Sequence, residues 1–147
     1  MSQTATVAAS LDPANLKTET AIADYASLAG RILIAPLFLL SGVTKLTAPG
    51  PTIEMIASTG LPFATLGFAL AVLVEVVGSL ALIAGYRVRP VAAVMAVFSV
   101  AAALAFHANI VDQNQFIHFF KNIAMAGGLL QIVAFGAGRI SLDARRS

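Results

Sequence analysis

At 147 residues, the chain is 59% hydrophobic and only 11% charged, with a mean hydropathy of +0.88. Soluble domains carry about 25% charged residues, so this composition excludes an ordinary water-soluble globule and indicates one integral membrane domain surrounded by the lipid bilayer. The net charge of +2 is scattered among apolar runs, so we expect no nucleic-acid partner. The sequence has no cysteine, which excludes disulfides, thiolate-bound metals and dithiol exchange by this chain.

The chain divides into a long membrane domain and two short tails. Residues 1–24 are polar, with Asp12-Pro13 marking a turn, and we expect a flexible tail or a short surface helix. They contain no basic stretch leading into a short apolar core, so no cleaved signal peptide is expected. The membrane domain covers residues 25–143, and residues 144–147 form a basic C-terminal tail.

Four apolar runs, each near the ~20 residues that a helix needs to cross a bilayer, occupy residues 26–46, 61–84, 90–107 and 116–137. They predict an all-α, polytopic membrane protein built as a bundle of four transmembrane helices. The competing interpretation, a set of soluble amphipathic helices, requires a polar face at 3.6-residue spacing, which the second and third runs lack.

The connections between these runs differ in character. Residues 47–60 contain Pro49-Gly50-Pro51 and predict a turn followed by a short helix at the membrane surface. Residues 85–90 allow only a tight hairpin, in which Gly85 ends one helix and Pro90 opens the next. Residues 108–115 are polar without a positive charge.

The distribution of basic residues predicts the orientation. With four spans, both termini and the second connection share one side, and most of the Lys and Arg residues lie near it: Lys17, Arg31, Arg87, Arg89, Arg139, Arg145 and Arg146. Only Lys45 and Lys121 lie toward the other side. Because Lys and Arg in short flanking segments are retained in the cytoplasm, we expect both termini to be cytoplasmic.

Ionisable residues inside the apolar runs are the main functional signal, because charge in hydrocarbon is costly and tends to mark function. Glu75 lies near the middle of the second run, with small residues on its face that permit close helix packing: Ala71, Gly78 and Ser79. Seven-residue spacing places Arg31, Phe38 and Lys45 on one side of the first run. Glu75 is therefore expected to face the bundle interior.

A matching face is expected on the fourth run, formed by Lys121, Ala124, Gly128 and Gln131. We expect the two faces to converge on Glu75, with Arg31 reaching it from the cytoplasmic half and Lys121 from the outer half. Asn122 must find a hydrogen-bond partner on a neighbouring helix or in trapped water. Two interpretations stay open: a structural ion pair that fixes helix packing, or a relay or ligand site for protons, quinones or anions.

Two histidines flank the third connection, His107 ending the third run and His118 opening the fourth, beside several phenylalanines. They could form hydrogen bonds to a quinone head group, or they could be amphipathic residues settled at the membrane interface. Haem or another metal is not expected, because no third ligand stands at a diagnostic spacing.

The chain resembles the DoxX family of small bacterial inner-membrane proteins over residues 26–143. The resemblance rests on Arg31 with the segment Gly42-Val43-Thr44-Lys45-Leu46, on Gly60-Leu61-Pro62, on Glu75-Val76-Val77-Gly78, on residues 121–130 and on residues 136–143. It implies a four-helix membrane fold in the bacterial inner membrane, with Arg31, Lys45, Glu75 and Asn122 at the family's recurring polar positions. Some members of the family are linked to quinone-coupled oxidation of sulfur compounds and others to assemblies that handle oxidative stress.

These observations favour a membrane subunit of a quinone-linked oxidoreductase or oxidative-stress-handling assembly. Quinone is the expected ligand, and the expected partners are a catalytic oxidoreductase subunit, a larger membrane complex or a second copy of the chain. A structural or assembly subunit without catalysis of its own is the alternative, and a small transporter is the third. Whether the chain itself is an enzyme is left open by the sequence.

Overall fold

A computed structural model describes residues 13–146, and all of its regular structure is helical within that range. Six α-helices follow one another: α1 (Pro13–Thr47), α2 (Pro49–Ser58), α3 (Ala64–Val72), α4 (Gly78–Ala84), α5 (Val88–Phe106) and α6 (Gln113–Phe135). A π-helical turn, Leu73–Val77, joins α3 to α4 as one continuous rod, and a short 3-10 turn, Asp143–Arg145, lies near the C-terminus.

Four segments are long and apolar enough to cross a membrane. They are α1, the continuous segment formed by α3 and α4, α5, and α6. Large apolar side chains point away from the bundle, with Leu33, Val97 and Phe135 exposed by 75%, 71% and 79%. Helices whose backbone groups are paired internally and whose outer surface is apolar suit a lipid environment. The predicted four-helix, multi-pass membrane fold is therefore confirmed, whereas the side on which the termini lie stays a prediction.

The first helix is longer than its apolar run. It begins at Pro13, so residues 13–24, assigned from the sequence to a tail, form its first turns, in which residues 14–23 are exposed. Proline is favoured at the start of a helix because its missing N–H has no intrahelical partner there. At 1.5 Å per residue, the 35 residues of α1 extend about 50 Å, well beyond the hydrocarbon thickness. The rest of the predicted tail, residues 1–12, and the last residue lie outside the described part of the chain.

The connections follow the predicted chemistry. Gly85 ends α4 with a φ of 71°, a left-handed conformation that glycine adopts without steric cost, and α5 begins three residues later. The predicted short helix in the first connection is α2, which buries Thr52 and Ile56. Asp112 caps α6 by accepting a hydrogen bond from the Gln115 backbone N–H at 2.9 Å.

The interior of the bundle is filled from α1, α4, α5 and α6, with Phe38, Leu82, Met95 and Leu129 each no more than 3% exposed. Small residues allow the helices to approach closely. A Cβ atom added to Gly42 of α1 would lie 2.7 Å from Val76 Cγ2 in the π-helical turn. Inside a bilayer the hydrophobic effect does not drive helices together, so they associate through close packing of this kind.

Candidate ligand-binding site

Glu75 lies in the π-helical turn and is buried, with 4% of its surface exposed. Its Oε1 atom accepts hydrogen bonds from Lys45 Nζ at 2.8 Å and from Ser41 Oγ at 3.0 Å. Lys45 Nζ also donates to Ser41 Oγ at 2.8 Å, so the three side chains form a closed triangle between α1 and the second span. Insertions that create π-helical turns are frequent at functional sites, and here the turn carries the deepest carboxylate.

The second carboxylate oxygen of Glu75 has a different environment. Glu75 Oε2 is buried and has no hydrogen-bond partner among the described residues. A buried polar atom without a partner costs about 1–3 kcal/mol, and more when it is charged, so a donor from outside the chain would stabilise it. This unpartnered oxygen is the feature that most directly indicates a ligand.

A cavity of about 590 Å³ lies against this triangle, and Ser41, Lys45 and Glu75 are all part of its wall. Most of the remaining wall is apolar and comes from α1, α2, α5 and α6, including Phe38, Ile56, Phe98, Ala102 and Met125. Ligand pockets are typically about 300–1,000 Å³ and combine apolar walls with a few placed polar groups. The helix α2 covers one side of this cavity, so the first connection is part of the site.

A second polar group borders the same cavity, near the third connection. His107 Nδ1 lies 2.7 Å from Gln115 Oε1, and since an amide oxygen only accepts, His107 Nδ1 is the donor in this contact. The ring of His107 stacks on that of His118 with centroids 5.0 Å apart. Lys121 Nζ lies 3.0 Å from His118 Nδ1, which it serves as a donor.

The structure separates Arg31 from Glu75, so the expected convergence of these two side chains is wrong. Arg31 is fully buried and donates to the carbonyl oxygens of Leu82 at 2.9 Å, Ile83 at 3.3 Å and Ile140 at 2.7 Å. Carbonyls at the end of a helix lack intrahelical donors and carry partial negative charge, which a guanidinium satisfies. Arg31 therefore ties α1 to the end of α4 and to the C-terminal segment, and Lys45 takes the place at Glu75.

The predicted face of α6 is also wrong in part. Lys121 is exposed, although it reaches the rim of the cavity, and Ala124 and Gln131 are exposed away from it. The buried face is rotated and consists of Asn122, Ala126, Leu129 and Ile132. Asn122 lines the cavity. Its amide does not donate to a neighbouring helix, as expected, but to His118 O, 2.9 Å away and one turn earlier in α6.

Sequence reasoning missed Ser41 and the α2 residues that line the cavity, among them Thr52 and Ile56. Ser41 carried a usable signal, because it stands four residues before Lys45 and therefore on the same helix face. The contribution of α2 carried no such signal, because the sequence of a short surface helix does not indicate which spans it covers.

Comparisons with known proteins agree with this fold. The DoxX family model matches residues 26–108, a range that includes Lys45, Glu75 and His107. The inner membrane protein YphA of Escherichia coli (strain K12) is 31% identical over 124 residues, covering 80% of this chain and 88% of its own length. The inner membrane protein YqjF of the same strain is 33% identical over 122 residues, covering 82% and 91%. No solved structure matches. By the family model and by both relatives, this chain is a member of the DoxX family.

Proposed function

We propose that this chain is the membrane subunit of a quinone-linked oxidoreductase in the bacterial inner membrane, and that the cavity beside Glu75 binds the quinone head group. The observation that carries the proposal is the buried, unpartnered Glu75 Oε2 next to the Lys45 ammonium. The family and the two relatives named as inner membrane proteins support the location.

The chemistry of the cavity wall suits both redox forms of a quinone. An oxidised quinone presents two carbonyl acceptors, and the reduced quinol presents two hydroxyl donors. Lys45 Nζ has three N–H bonds and donates two of them, to Ser41 and Glu75. The third can donate to a ligand acceptor. Glu75 Oε2 can accept from a quinol hydroxyl. One wall thus offers a donor and an acceptor, while Phe38 and Phe98 provide apolar surface for the ring and tail.

Electrons for the quinone must come from another molecule. Reduction to quinol takes two electrons and two protons, and this chain has no cysteine that could deliver electrons by dithiol exchange. We therefore expect a catalytic subunit that oxidises the donor and docks on this one. His107 lines the cavity and stacks on His118 near the third connection, and we expect this pair to exchange protons with the aqueous side.

The orientation belongs to the same proposal. The arginine-rich connection and the C-terminal segment lie at the end of the bundle opposite α2 and the third connection. With those basic residues in the cytoplasm, the cavity and the histidine pair lie toward the periplasmic half.

The test is the quinone content of the protein purified in mild detergent, together with its thermal stabilisation by an added short-chain quinone. We expect quinone in the lipid extract of the wild type and much less with Glu75→Gln. A second variant, Ala102→Leu, fills the cavity from α5 and leaves Lys45 and Glu75 in place, and it should also lose quinone. Its control is Ala124→Leu, which adds the same atoms at an exposed position on α6 outside the cavity wall.

These outcomes separate the proposal from its rivals. Absence of quinone from the wild type, combined with no stabilisation by the short-chain quinone, would contradict it. So would equal quinone content in Ala102→Leu and Ala124→Leu. If instead Glu75→Gln prevents folding while Ala102→Leu folds and keeps its quinone, the ion pair is structural and the cavity does not bind the head group.

A further inference from the structure

A second cavity, of about 600 Å³, lies at the opposite end of the bundle, where α5 begins and α6 ends. It is lined by three arginines, Arg87, Arg89 and Arg139, and by one acidic residue, Asp143. All three arginines are exposed. This basic cavity shares no residue with the cavity beside Glu75.

The carboxylate in the basic cavity forms hydrogen bonds to the protein backbone. Asp143 uses both oxygens to accept from backbone groups at the start of α5, from Arg87 N at 2.7 Å and Val88 N at 2.9 Å. In the part of the chain that the structure describes, the salt bridge is Lys45–Glu75, and none of the three arginines makes one. Within the described residues, the three arginines are therefore gathered without a carboxylate at salt-bridge distance.

A neighbouring tyrosine lies between Arg87 of the basic cavity and Arg146 outside it. Tyr86 lies in the tight connection between α4 and α5, and Arg146 and Arg87 both lie over its ring. The hydrogen bond to Arg146 lowers the pKa of the Tyr86 hydroxyl below its ordinary value, and the charges of Arg87 and Arg146 lower it further. Positive charge at this end of the bundle therefore extends from the basic cavity to Tyr86 and Arg146.

The rim of the basic cavity is apolar. Pro90 and Phe135 line it, and Phe135 is 79% exposed at the last residue of α6, where a membrane span meets the surface. Gly136 provides the floor, and a Cβ there would approach Arg89 Nε to 3.3 Å, so the missing side chain leaves room for the guanidinium. A ligand that fits has a negatively charged head and an apolar portion directly attached to it.

We infer that the basic cavity binds the phosphate group of an anionic phospholipid, with the acyl chains running along Phe135 into the bilayer. Guanidinium groups recognise phosphate oxygens through paired, charge-assisted hydrogen bonds. Basic pockets between transmembrane helices at the membrane surface are suited to phospholipid head groups. The inference is independent of the quinone proposal, because the two cavities lie at opposite ends of the bundle.

The experiment counts lipid molecules bound to the full chain in mild detergent by native mass spectrometry, during titration with dioleoylphosphatidylglycerol. Each arginine near the surface contributes about fivefold in affinity, so Arg89→Gln with Arg139→Gln should weaken binding by ~25-fold. The matched control is Arg145→Gln with Arg146→Gln, which removes the same charge from the same end but from residues outside the cavity wall. It should weaken binding far less. Arg139→Gln alone, with a loss of about fivefold, serves if the double variant does not fold.

Three further results would overturn the inference. Equal losses in the two double variants would mean that only the overall charge attracts the lipid. Equal binding of dioleoylphosphatidylcholine would mean that the phosphate-bearing anionic head is not recognised. Displacement of the lipid by inorganic phosphate at matched concentration would assign the cavity to free phosphate, because the apolar rim would then contribute nothing.

Discussion

Lys45 Nζ and Glu75 Oε1 are 2.8 Å apart, joining the end of the first span to the middle of the second. The Lys45 side chain is 20% exposed and that of Glu75 only 5%, so the pair lies between the cavity and the helix interface. Ser41 hydrogen-bonds both partners. An ion pair in this position can hold the helices together, hold a ligand or do both.

Removing one partner of this pair should cost more than removing both. Lys45→Met leaves a buried carboxylate without its cation, and Glu75→Leu leaves an ammonium without its anion, each at a cost of about 3 kcal/mol. The double variant, Lys45→Met with Glu75→Leu, leaves no uncompensated charge and should recover more than half of the lost stability. Thermal transitions of the four proteins in one detergent measure the coupling.

A double variant as unstable as the sum of the singles would contradict this prediction, since it would show that the two charges act independently. If the double variant recovers stability but does not bind quinone, the result supports the proposed function. It would mean that packing tolerates an apolar pair whereas the cavity needs the charged one.

The four spans and the inward position of Glu75 could be predicted because hydrocarbon accepts only paired backbone groups and forces charge toward the bundle interior. The sequence did not predict which cation reaches Glu75. Arg31 and Lys45 lie on the same side of α1, and the choice between them depends on how far one span is shifted along another. That shift reflects close contacts such as Gly42 against Val76, which the pattern of a single helix does not encode.

The face of α6 was misassigned for a related reason. Two small residues of the predicted face differ: Ala124 is exposed, whereas a Cβ added to Gly128 would lie 2.9 Å from Ile34 Cδ1 of α1. In a membrane, lipid accepts small and large apolar residues alike, so composition distinguishes an inner face from an outer one only weakly. The π-helical turn at Glu75 had no sequence signal that we recognised.

Arg31 should be a major source of stability at the end of the bundle away from the cavity beside Glu75. Arg31→Met removes a buried group that donates to three carbonyl oxygens, which should cost about 3 kcal/mol. Arg31→Lys keeps the charge but lacks the planar guanidinium with its several N–H donors, so it should recover only part of the lost stability. Lys17→Met, which neutralises an exposed cation on the same helix, is the control. Equal thermal transitions for the Arg31 and Lys17 variants would rule out this role.

Asp143 should hold the C-terminal segment against the start of α5. It accepts from two backbone N–H groups more than 50 residues earlier in the chain, whereas Asp112 caps α6 from the adjacent position. Alanine at either site should cost about 1 kcal/mol, the usual value of a helix cap. Only Asp143→Ala also loosens the C-terminal segment, which Arg31 and two backbone hydrogen bonds still hold, so trypsin should cleave after Arg139 faster in that variant. Similar cleavage rates for both variants would argue against the long-range cap.

Two glycines on different helices should respond oppositely to the same added methyl group. At Gly42, a new Cβ would lie 2.7 Å from Val76 Cγ2 and 3.1 Å from Glu75 Cβ, against the π-helical turn. Gly42→Ala should therefore force α1 away from that turn, at a cost of about 1–3 kcal/mol.

At Gly127, no atom lies within 4 Å of the added methyl, and alanine is the better helix former by up to ~1 kcal/mol. Gly127→Ala should leave the thermal transition unchanged or raise it. Because Gly42 approaches the backbone that carries Glu75, Gly42→Ala should also reduce bound quinone, while Gly127→Ala should not. A wild-type transition temperature in Gly42→Ala would mean that the contact between α1 and the π-helical turn is loose, and the position of Glu75 would then need another explanation.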